Sequence, residues 1–260
     1  MNDYDIIVFD WETTSNKPES TRGVQFAALS ANHGPLWNQL CDPEVSIHHE
    51  AAQVHGITDE MVKGQPKDYE IAAKFLDYLA EDPNFSLTAG HNSTGFDVPI
   101  TNRLARMAGS PYQLAGLHID TMMLAQRVWP EAPSFRLSAT EAEAKKPGKI
   151  GLTQWLGLGT GEGAHDALAD CRMVMQLINA LAEKTGRTPE ELAEWAQTPF
   201  VHTICGFGKH EGKPWGREKG CVPFFYVKWL CENWTSASID MQATVLHHYG
   251  LRFRFRGAMR

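Results

Sequence analysis

Short apolar runs at the start of the chain are typical of buried strands. They predict strands at residues 4–10, 24–30 and 36–41, with Pro, Gly, Asn and Ser in the turns between them. From residue 68 to residue 81 the apolar positions instead recur at helical spacing, and Asp82 and Pro83 end that pattern. The chain is therefore expected to begin with a β-meander that is followed by a helix.

The middle of the chain alternates between predicted strands and helices. Residues 86–90 fit a short strand, residues 96–108 fit a helix, and residues 165–184 fit a longer helix that stops at Gly186. Residues 129–151 contain several Pro and Lys and are expected to be irregular. Strands first and helices afterwards indicate an α/β fold of the kind in which helices cover a mixed sheet.

A change in composition near residue 199 predicts a second, smaller unit. Residues 188–191 form a capping box with proline at the first helical position, which predicts a short helix that ends near Gln197. Beyond it the chain is aromatic, rich in glycine and basic. We therefore predict a main domain at residues 1–186, a helical linker at 187–198 and a small basic C-terminal domain at 199–260.

The composition is that of a soluble, folded protein. Hydrophobic residues make up 43% of the 260 residues and charged residues 21%, which is too apolar a balance for intrinsic disorder. No apolar run approaches the roughly 20 residues that a bilayer span needs, and the N-terminus lacks the basic start of a signal peptide. We expect a cytoplasmic protein with no membrane attachment. The five cysteines form no CxxC pair and are expected to be reduced thiols.

The charge is divided unevenly between the two predicted units. The net charge is −7, but residues 201–260 carry nine Lys or Arg against four acids, which leaves −12 on residues 1–200. An acidic protein is at first sight a poor partner for a polyanion. If the acidic body does handle one, divalent cations must lie between its carboxylates and the phosphates.

Asp10 and Glu12 stand at the end of the first predicted strand, on either side of Trp11. The two-residue period of a strand sends both carboxylates to the same face, where they repel each other unless cations lie between them. Acids also follow buried strands as simple turn formers, and taken alone the pair favours that ordinary role.

Two further acids belong to predicted helices. Asp97 follows a predicted strand, and an acid in the first turn of a helix often serves only to complement the helix dipole. Asp170 lies inside the third helix, close to the apolar residues Leu168, Cys171 and Val174. A carboxylate near a buried stripe needs a partner, and a metal ion would serve.

His165 precedes Asp170 by five residues, which is about 140° on a helical wheel, so the two cannot share a face of one regular helix. We expect His165 in the loop or first turn, from where it can swing over a substrate held at Asp170. The alternative is an ordinary surface histidine. Asp166 is expected to be the N-cap or a first-turn acid.

Together these residues resemble the motifs of a known family, the DEDDh 3′-to-5′ exonucleases of the ribonuclease H-like fold. The His-x4-Asp form is that of the histidine branch, and the resembling segments are residues 9–14, residues 91–97 and residues 165–170. The body is similar to bacterial exodeoxyribonuclease I, and residues 204–231 are similar to the small C-terminal domain of exodeoxyribonuclease X. One departure is Ser15, where many members of the family carry glycine.

The resemblance implies hydrolysis of phosphodiesters to 5′-mononucleotides with two divalent cations, Mg²⁺ or Mn²⁺, about 4 Å apart. It assigns Asp10, Glu12 and Asp170 to one ion, Asp10 also to the second, and Asp97 to that second site through water. Oxygen ligands favour Mg²⁺ or Mn²⁺ over zinc. His165 is implied to be the general base, a role that suits a side chain titrating near neutral pH.

The resemblance also indicates which residues contact the substrate. Contacts to the terminal nucleotide are expected from Thr13, Thr14, His55, Ile57, Asn92, Phe96, Phe135 and Arg136. Ile57 and Phe96 suit a hydrophobic core equally well. For the tail it is the excess of positive charge that predicts contact with the strand upstream of the cleaved end, through Lys209, Lys213, Arg252, Arg254 and Arg256. The last three alternate with phenylalanines, and a solvated edge strand is almost as good an interpretation of that pattern.

The leading hypothesis is a metal-dependent 3′-to-5′ exodeoxyribonuclease that prefers single-stranded DNA, with DNA-replication or repair proteins as further partners. An RNA-trimming enzyme of the same fold stays open, because recognition of the 2′-hydroxyl depends on pocket details that no motif reveals. A polymerase-associated proofreading enzyme and a catalytically weak nucleic-acid-binding module are two more alternatives. The intact set of four acids and a histidine counts against the binding module.

Overall fold

The computed structural model describes residues 5–81, 85–139, 150–158, 165–234 and 237–253. The strands are β1 (Asp5–Thr13), β2 (Gly23–Ser30), β3 (Gly34–Leu40), β4 (Phe85–Gly90) and β5 (His118–Asp120). The helices are α1 (His49–His55), α2 (Asp59–Val62), α3 (Asp68–Glu81), α4 (Asp97–Met107), α5 (Thr121–Val128), α6 (Leu152–Trp155), α7 (Ala167–Thr185), α8 (Pro189–Gln197), α9 (Phe224–Asn233) and α10 (Ile239–Tyr249), with a 3₁₀ turn at Gly208–His210. None of the helices in these ranges is long and apolar enough to cross a membrane.

The strands form one sheet in the order β3-β2-β1-β4-β5. Strands β1, β2 and β3 pair antiparallel, as the expected meander requires. Strands β4 and β5 extend the other side of β1 in parallel. The mixed sheet and its covering helices confirm the predicted α/β fold.

Strand β1 is longer than its apolar run predicts. It continues to Thr13, because Glu12 pairs with Gln25 and Thr13 pairs with Gly23 on the neighbouring strand. The two acids therefore lie within the strand and not in a turn that follows it. This fixes the backbone beneath both carboxylates.

Alternate residues of β1 belong to cores on opposite faces of the sheet. Ile7, Phe9 and Trp11 pack in the cluster that contains residues of α3 and α4, whereas Val8 packs in the cluster that contains residues of α7. Asp10 and Glu12 follow the register of Val8, so their side chains point toward the layer of α7. Burial of both faces holds β1 between two helical layers.

Residues 205–253 have a hydrophobic core of their own. Helices α9 and α10 contribute Val227, Leu230 and Val245 to this cluster, which also contains Trp215 and Tyr249. The Tyr249 hydroxyl donates to the backbone carbonyl of Val222 at 2.7 Å, which ties the end of α10 to the chain before α9. A separate core is in keeping with a second unit, whose boundaries stay a prediction.

A buried ion pair joins this C-terminal unit to the body. Arg127 of α5 donates to both carboxylate oxygens of Asp240 of α10, at 2.8 and 2.7 Å. Arg127 also donates to the backbone carbonyls of Trp195 and Thr198. Asp240 accepts a further hydrogen bond from the Phe200 N–H at 3.0 Å. At this junction the charges of Arg127 and Asp240 therefore neutralise each other, and both side chains have further hydrogen-bond partners within the protein.

The structure describes only the first two residues of the segment in which Arg and Phe alternate. Residues 251–253 belong to no strand. Arg252 is exposed and Phe253 is buried, so the two side chains do lie on different sides of the backbone there. Arg254 and Arg256 lie outside the described residues.

Candidate active site

The end of β1 and the start of α7 bring together three of the predicted site residues. One ligand atom each of Glu12, His165 and Asp170 lies within 4.8 Å of the others. Glu12 precedes both His165 and Asp170 by more than 150 residues in the chain. All three are half-buried, so the cluster is open to solvent on one side.

The start of α7 is fixed by its N-cap residue, Asp166. Its side chain accepts the Ala169 N–H at 3.1 Å, as expected from the sequence. Gln25 of β2 donates to the other carboxylate oxygen of Asp166 at 3.0 Å and accepts the Ala167 N–H at 3.3 Å. The sheet therefore determines where α7 begins, and with it the position of Asp170 in the first turn.

His165 lies in the turn that precedes this N-cap, in agreement with the helical-wheel argument. Its φ angle is +68°, in the left-handed region that non-glycine residues rarely adopt. The His165 backbone also hydrogen-bonds the Asp170 carboxylate, which opposes the rise in the pKa of that acid. Such a backbone conformation costs on the order of 1–3 kcal/mol and persists where the surrounding contacts enforce it.

Asp97 connects helix α4 to the same strand. It is buried at the first position of α4 and accepts the backbone N–H of Trp11 at 3.1 Å. The Trp11 indole in turn donates to the Thr101 hydroxyl at 2.9 Å, one turn further along α4. Trp11, which stands between Asp10 and Glu12, thus holds Asp97 beside β1.

Burial is the largest cause of a raised pKa at each of the four acids, and neighbouring carboxylates add to it. For Asp170 the carboxylate that adds to it is that of Asp166. Burial and then the carboxylates of Asp97, Asp170 and Glu12 raise the pKa of Asp10 well above its usual range. Burial, followed by Asp170 and Asp97, raises the pKa of Glu12 to about 9. The pKa of Asp97 rises to about 8 despite the Trp11 hydrogen bond, and that of Asp170 to about 7.

The residues fit a site for hard divalent cations. Within the described part of the chain, the buried Oδ1 atom of Asp170 has no hydrogen-bond partner. No Lys or Arg is among the groups that shift the pKa values of the four acids. Carboxylate oxygens are ligands of Mg²⁺ and Mn²⁺, and a cation would satisfy both the orphaned oxygen and the mutual repulsion.

Three predicted contacts lie around the loop that follows β1. His55 Nε2 is 3.2 Å from the Thr13 carbonyl, and its Nδ1 accepts the Ile57 N–H. The Thr13 hydroxyl donates to the backbone carbonyl of Ser15. The N–H of Thr14 donates to the backbone carbonyl of Arg22. Both threonines are buried and their polar groups are engaged within this loop.

Ile57 lies in a small core with Val24 and Val62 and is 5% exposed. Ile57 therefore occupies a hydrophobic core, which was one of the two roles that its sequence context allowed. Phe96 is half-buried and packs against the cluster that contains Trp11. Its ring therefore also belongs partly to the core.

Asn92 and Phe135 lie on two loops that contact each other. Asn92 is exposed with a φ angle of +59°, and His91 bonds the Phe135 carbonyl through Nε2 at 2.7 Å. Phe135 is half-buried and the neighbouring Arg136 is exposed. The structure thus brings the second motif beside the segment expected to contact the nucleotide.

Asp120 was not predicted as a site residue, although it holds the Asn92 loop in place. It is buried and accepts the N–H groups of Asn92 and Thr94, each at 3.0 Å. It also caps α5 by accepting the N–H groups of Met122 and Met123. An Asp directly before Thr121 and an apolar run is an N-cap signal that the sequence does contain.

The basic residues predicted to hold upstream strand lie in the C-terminal unit. Lys209, Lys213 and Arg252 are exposed, and the Lys209 ammonium group is 5.0 Å from the centre of the Tyr226 ring. Their exposure leaves them accessible to a polyanion.

Known proteins resemble this chain over most of its length. The exonuclease family model matches residues 7–178, which contain the four acids and His165. Exodeoxyribonuclease 10 of Escherichia coli (strain K12) is 26% identical over 234 residues, which cover 86% of this chain and 91% of that protein. The DNA polymerase III subunit epsilon of Treponema pallidum (strain Nichols) is 26% identical over 202 residues, which cover 75% of this chain and 85% of that protein.

A solved structure shares the fold. The E. coli exonuclease I in complex with a dA16 oligonucleotide has a TM-score of 0.55 and 21% identity, and the match covers 74% of this chain. It covers 43% of that chain, so the likeness spans less than half of exonuclease I. The family match, over well more than half of the present chain, shows that it belongs to the exonuclease family as a DEDDh-type 3′-to-5′ exonuclease of the ribonuclease H-like fold.

Proposed function

We propose that this exonuclease removes nucleotides from the 3′ end of single-stranded DNA and releases 5′-mononucleotides with the help of two divalent cations, Mg²⁺ or Mn²⁺. The observation that carries the proposal is the convergence of Glu12, His165 and Asp170 within 4.8 Å, beside Asp10 and Asp97. Four carboxylates and one imidazole in one place suit phosphodiester hydrolysis, and within the described residues only Asp97 of the four acids also holds two elements together, through the Trp11 N–H.

The carboxylates serve to bind the cations. Asp10, Glu12 and Asp170 would hold one ion, Asp10 would also reach the second, and Asp97 would support the second. When bound, the cations supply charge neutralisation at the phosphate, activation of water and stabilisation of the leaving 3′ oxygen. The raised pKa values of the acids support this assignment, because a cation is what would restore their ionised forms at neutral pH.

His165 serves as the general base. It takes a proton from the attacking water, and its place before the N-cap of α7 puts the imidazole next to Asp170 and outside the helix. The left-handed backbone of His165 supports the assignment, since backbone strain of this kind is concentrated at functional sites.

The relatives favour DNA over RNA as the substrate. Exodeoxyribonuclease 10 is named for DNA hydrolysis, and the exonuclease I structure contains a DNA oligonucleotide. The likeness to a DNA polymerase III subunit favours one second candidate, a proofreading enzyme that works beside a polymerase. Copurification with a polymerase is the observation that would separate the two.

One assay tests the proposal directly. DNA and RNA oligomers of equal sequence, labelled at the 5′ end, are incubated as single and double strands with Mg²⁺, Mn²⁺, Zn²⁺ or EDTA. We expect single-stranded DNA to shorten stepwise from its 3′ end with Mg²⁺ or Mn²⁺ and to stay intact in EDTA. Cleavage of RNA alone, or cleavage that persists in EDTA, would overturn the assignment.

A further inference from the structure

Helix α9 turns aromatic side chains toward solvent. Phe225 is 68% exposed, Trp229 is 55% exposed and Phe224 is 48% exposed, while Val227 and Leu230 of the same helix lie in the C-terminal core. A surface helix normally places polar residues on its outer side. Scattered exposed apolar residues are ordinary, but a contiguous group marks a binding surface. The aromatic face is defined here as Phe224, Phe225, Tyr226 and Trp229.

The rings of the aromatic face offer flat surfaces in fixed positions. The Tyr226 and Trp229 rings are stacked, with 17° between their planes and 6.1 Å between their centres. Phe225 and Trp229 are four residues apart and therefore lie on the same side of α9. Exposed, ordered rings of this kind suit stacking of planar ligands.

Cations border the aromatic face on both sides. The Lys209 ammonium lies 5.0 Å from the Tyr226 ring centre, and the Arg217 guanidinium lies 5.8 Å from that of Phe224. Lys228 is exposed on α9 itself, one residue before Trp229. Residues 201–234 contain five Lys or Arg against three acids, which are Glu211, Glu218 and Glu232. The surface therefore combines aromatic rings with a positive balance, whereas the body is strongly acidic.

The aromatic face adjoins the loop that carries a predicted nucleotide contact. Gly206 lies against the Phe135 ring, where an added Cβ would be 3.4 Å from a ring carbon. Lys209 follows Gly206 by three residues, which places the two Cα atoms within about 11 Å of each other even in extended backbone. The Lys209 end of the aromatic face is therefore close to the Phe135 loop.

We propose that the aromatic face stacks the bases of the strand upstream of the cleaved 3′ end, while Lys209, Arg217 and Lys228 contact its phosphates. The inference rests on the proposed exonuclease function and deepens it by assigning a second binding surface, outside the cluster of acids. Single-stranded nucleic acid is the occupant that fits, because its bases expose their flat faces and its phosphates match the cations. An apolar protein segment would match the rings but not the charges.

The test compares the full-length double variant Phe225→Ala/Trp229→Ala with the wild type. Leu246→Ala is the matched control, because Leu246 is an apolar residue of the same unit that is 45% exposed. Binding is measured in EDTA with a 5′-labelled 20-mer of thymidine at several salt concentrations. A companion 20-mer carries abasic sugars at every position except the three at the 3′ end.

We expect the double variant to bind the thymidine 20-mer about ten-fold or more weakly, since base stacking on an aromatic side chain is the interaction removed. The slope of log K against log salt should stay unchanged, because the phosphate contacts remain. On the abasic oligomer the wild type, the double variant and Leu246→Ala should bind equally. Among single variants, Trp229→Phe should bind the thymidine 20-mer more tightly than Trp229→Ala, because it keeps an aromatic ring. Trp229→Leu should bind as weakly as Trp229→Ala.

Equal affinities for the thymidine 20-mer, or an equally large loss on the abasic oligomer, would overturn base stacking on this face. Rescue by Trp229→Leu would overturn it as well, because leucine preserves apolar area without a ring. Cleavage of a trinucleotide with Mg²⁺ should be unchanged in the double variant. A wild type that cleaves neither oligomer with Mg²⁺ or Mn²⁺ would count against the proposed exonuclease function, whereas the binding comparison would still decide on the aromatic face.

Discussion

Buried or half-buried carboxylates lie at two places in this protein, and the pKa values at the two places shift in opposite directions. At the end of β1, burial and mutual repulsion raise the pKa of Glu12 to about 9. At the junction with the C-terminal unit, burial also opposes the charge of Asp240, but hydrogen bonds from His202 and Arg127 outweigh it and lower the pKa. The two places differ because Asp240 has a cationic partner within the protein, Arg127, and the acids at β1 have none among the groups that shift their pKa values.

The contrast separates a completed structural contact from a binding site. The side chains of Arg127 and Asp240 are 0% and 1% exposed, and their partners belong to the same protein, so the junction needs no ligand. The acids at β1 have no Lys or Arg among the groups that shift their pKa values, and an oxygen of Asp170 is left without a partner in the described residues. Buried charge without a counter-charge is stable only when something else supplies it.

The largest effect is expected from removing a carboxylate at β1 or α7. Asp10→Ala, Glu12→Ala and Asp170→Ala should each lower the rate of single-strand hydrolysis by about 10³-fold or more, because metal ions stabilise the transition state by several kcal/mol. The fold should remain, as circular dichroism would verify. Mg²⁺ should raise the Tm of the wild type and hardly that of Asp10→Ala. Near wild-type turnover in a folded variant would contradict the assignment.

His165→Ala should reduce turnover by about 10²-fold to 10⁴-fold, since it removes a general base but no predicted metal ligand. The measurement is the rate of hydrolysis as a function of pH, together with DNA affinity and the Mg²⁺-dependent rise in Tm. Both binding measures should be retained, and the acid limb of the rate profile should flatten. A rate within a few-fold of the wild type would make His165 an ordinary exposed histidine.

Arg127→Met should lower the free energy of unfolding by about 3–5 kcal/mol, because it leaves Asp240 charged, buried and without its main partner. Denaturant unfolding measures the change. The control is Arg127→Met/Asp240→Asn, which removes both charges and keeps an acceptor for the Phe200 N–H. We expect the double variant to recover much of the loss. If both variants were equally unstable, packing and not charge would hold the junction.

The acids around the end of β1 and the acid Asp240 should make the stability of the protein depend on pH in opposite directions. The raised pKa values at β1, about 7 to 9 for Glu12, Asp97 and Asp170, mean that the folded protein holds protons that the unfolded chain has released. Their contribution to stability is complete below the unfolded pKa values near 4 and is lost as pH rises through 7 to 9. In EDTA we expect a loss on the order of a few kcal/mol between pH 6 and 9, and Mg²⁺ should suppress it.

Asp240 acts in the other direction, because its pKa is lowered in the folded state. Its contribution is present above the unfolded pKa and is lost as pH falls through the folded pKa. Thermal unfolding of the wild type and of Glu12→Gln across pH 3 to 9 measures both limbs. Glu12→Gln should flatten the alkaline limb alone. An identical alkaline limb in the two proteins would place the proton linkage elsewhere.

The smallest effect is expected from Asp166→Ala. Asp166 caps α7 and accepts from Gln25, so its loss should cost about 1 kcal/mol of stability. Turnover should change little, because the side chain is assigned to the helix start and not to the reaction. Denaturant unfolding and the single-strand assay measure the two effects. A loss of turnover comparable to that of His165→Ala would show that the cap positions the base.

The candidate acids could be predicted because their motifs are local and together resemble those of a known family, although the local pattern alone favours ordinary roles for Asp10, Glu12 and Asp97. Alternation along β1 sends Asp10 and Glu12 to one side, and the structure keeps that alternation as far as Glu12, after which the register with β2 shifts. The helical wheel likewise separates His165 from Asp170, and the observed N-cap at Asp166 follows from the same segment. Motifs of this kind carry their information within a few residues.

Features that depend on distant partners were not predictable from local pattern. Strand β5 has three residues, too few to show alternation, and it exists because it pairs with β4. Arg127 and Asp240 are separated by 113 residues, so the sequence around either residue does not predict that the two form an ion pair. Helix α9 is apolar on nearly all sides, which favours burial, and only the C-terminal core determines that Phe225 and Trp229 face outward.

The central place of β1 in the sheet has a consequence for synthesis of the protein. Asp10 and Glu12 leave the ribosome before their partners do, because β1 pairs with β4 only after residue 90 and Asp170 follows 158 residues after Glu12. At roughly 5–20 residues per second, that interval is about 8–30 s. A nascent chain of this exonuclease therefore lacks its complete set of acids until Asp170 has been made, which delays any hydrolysis of nearby nucleic acid.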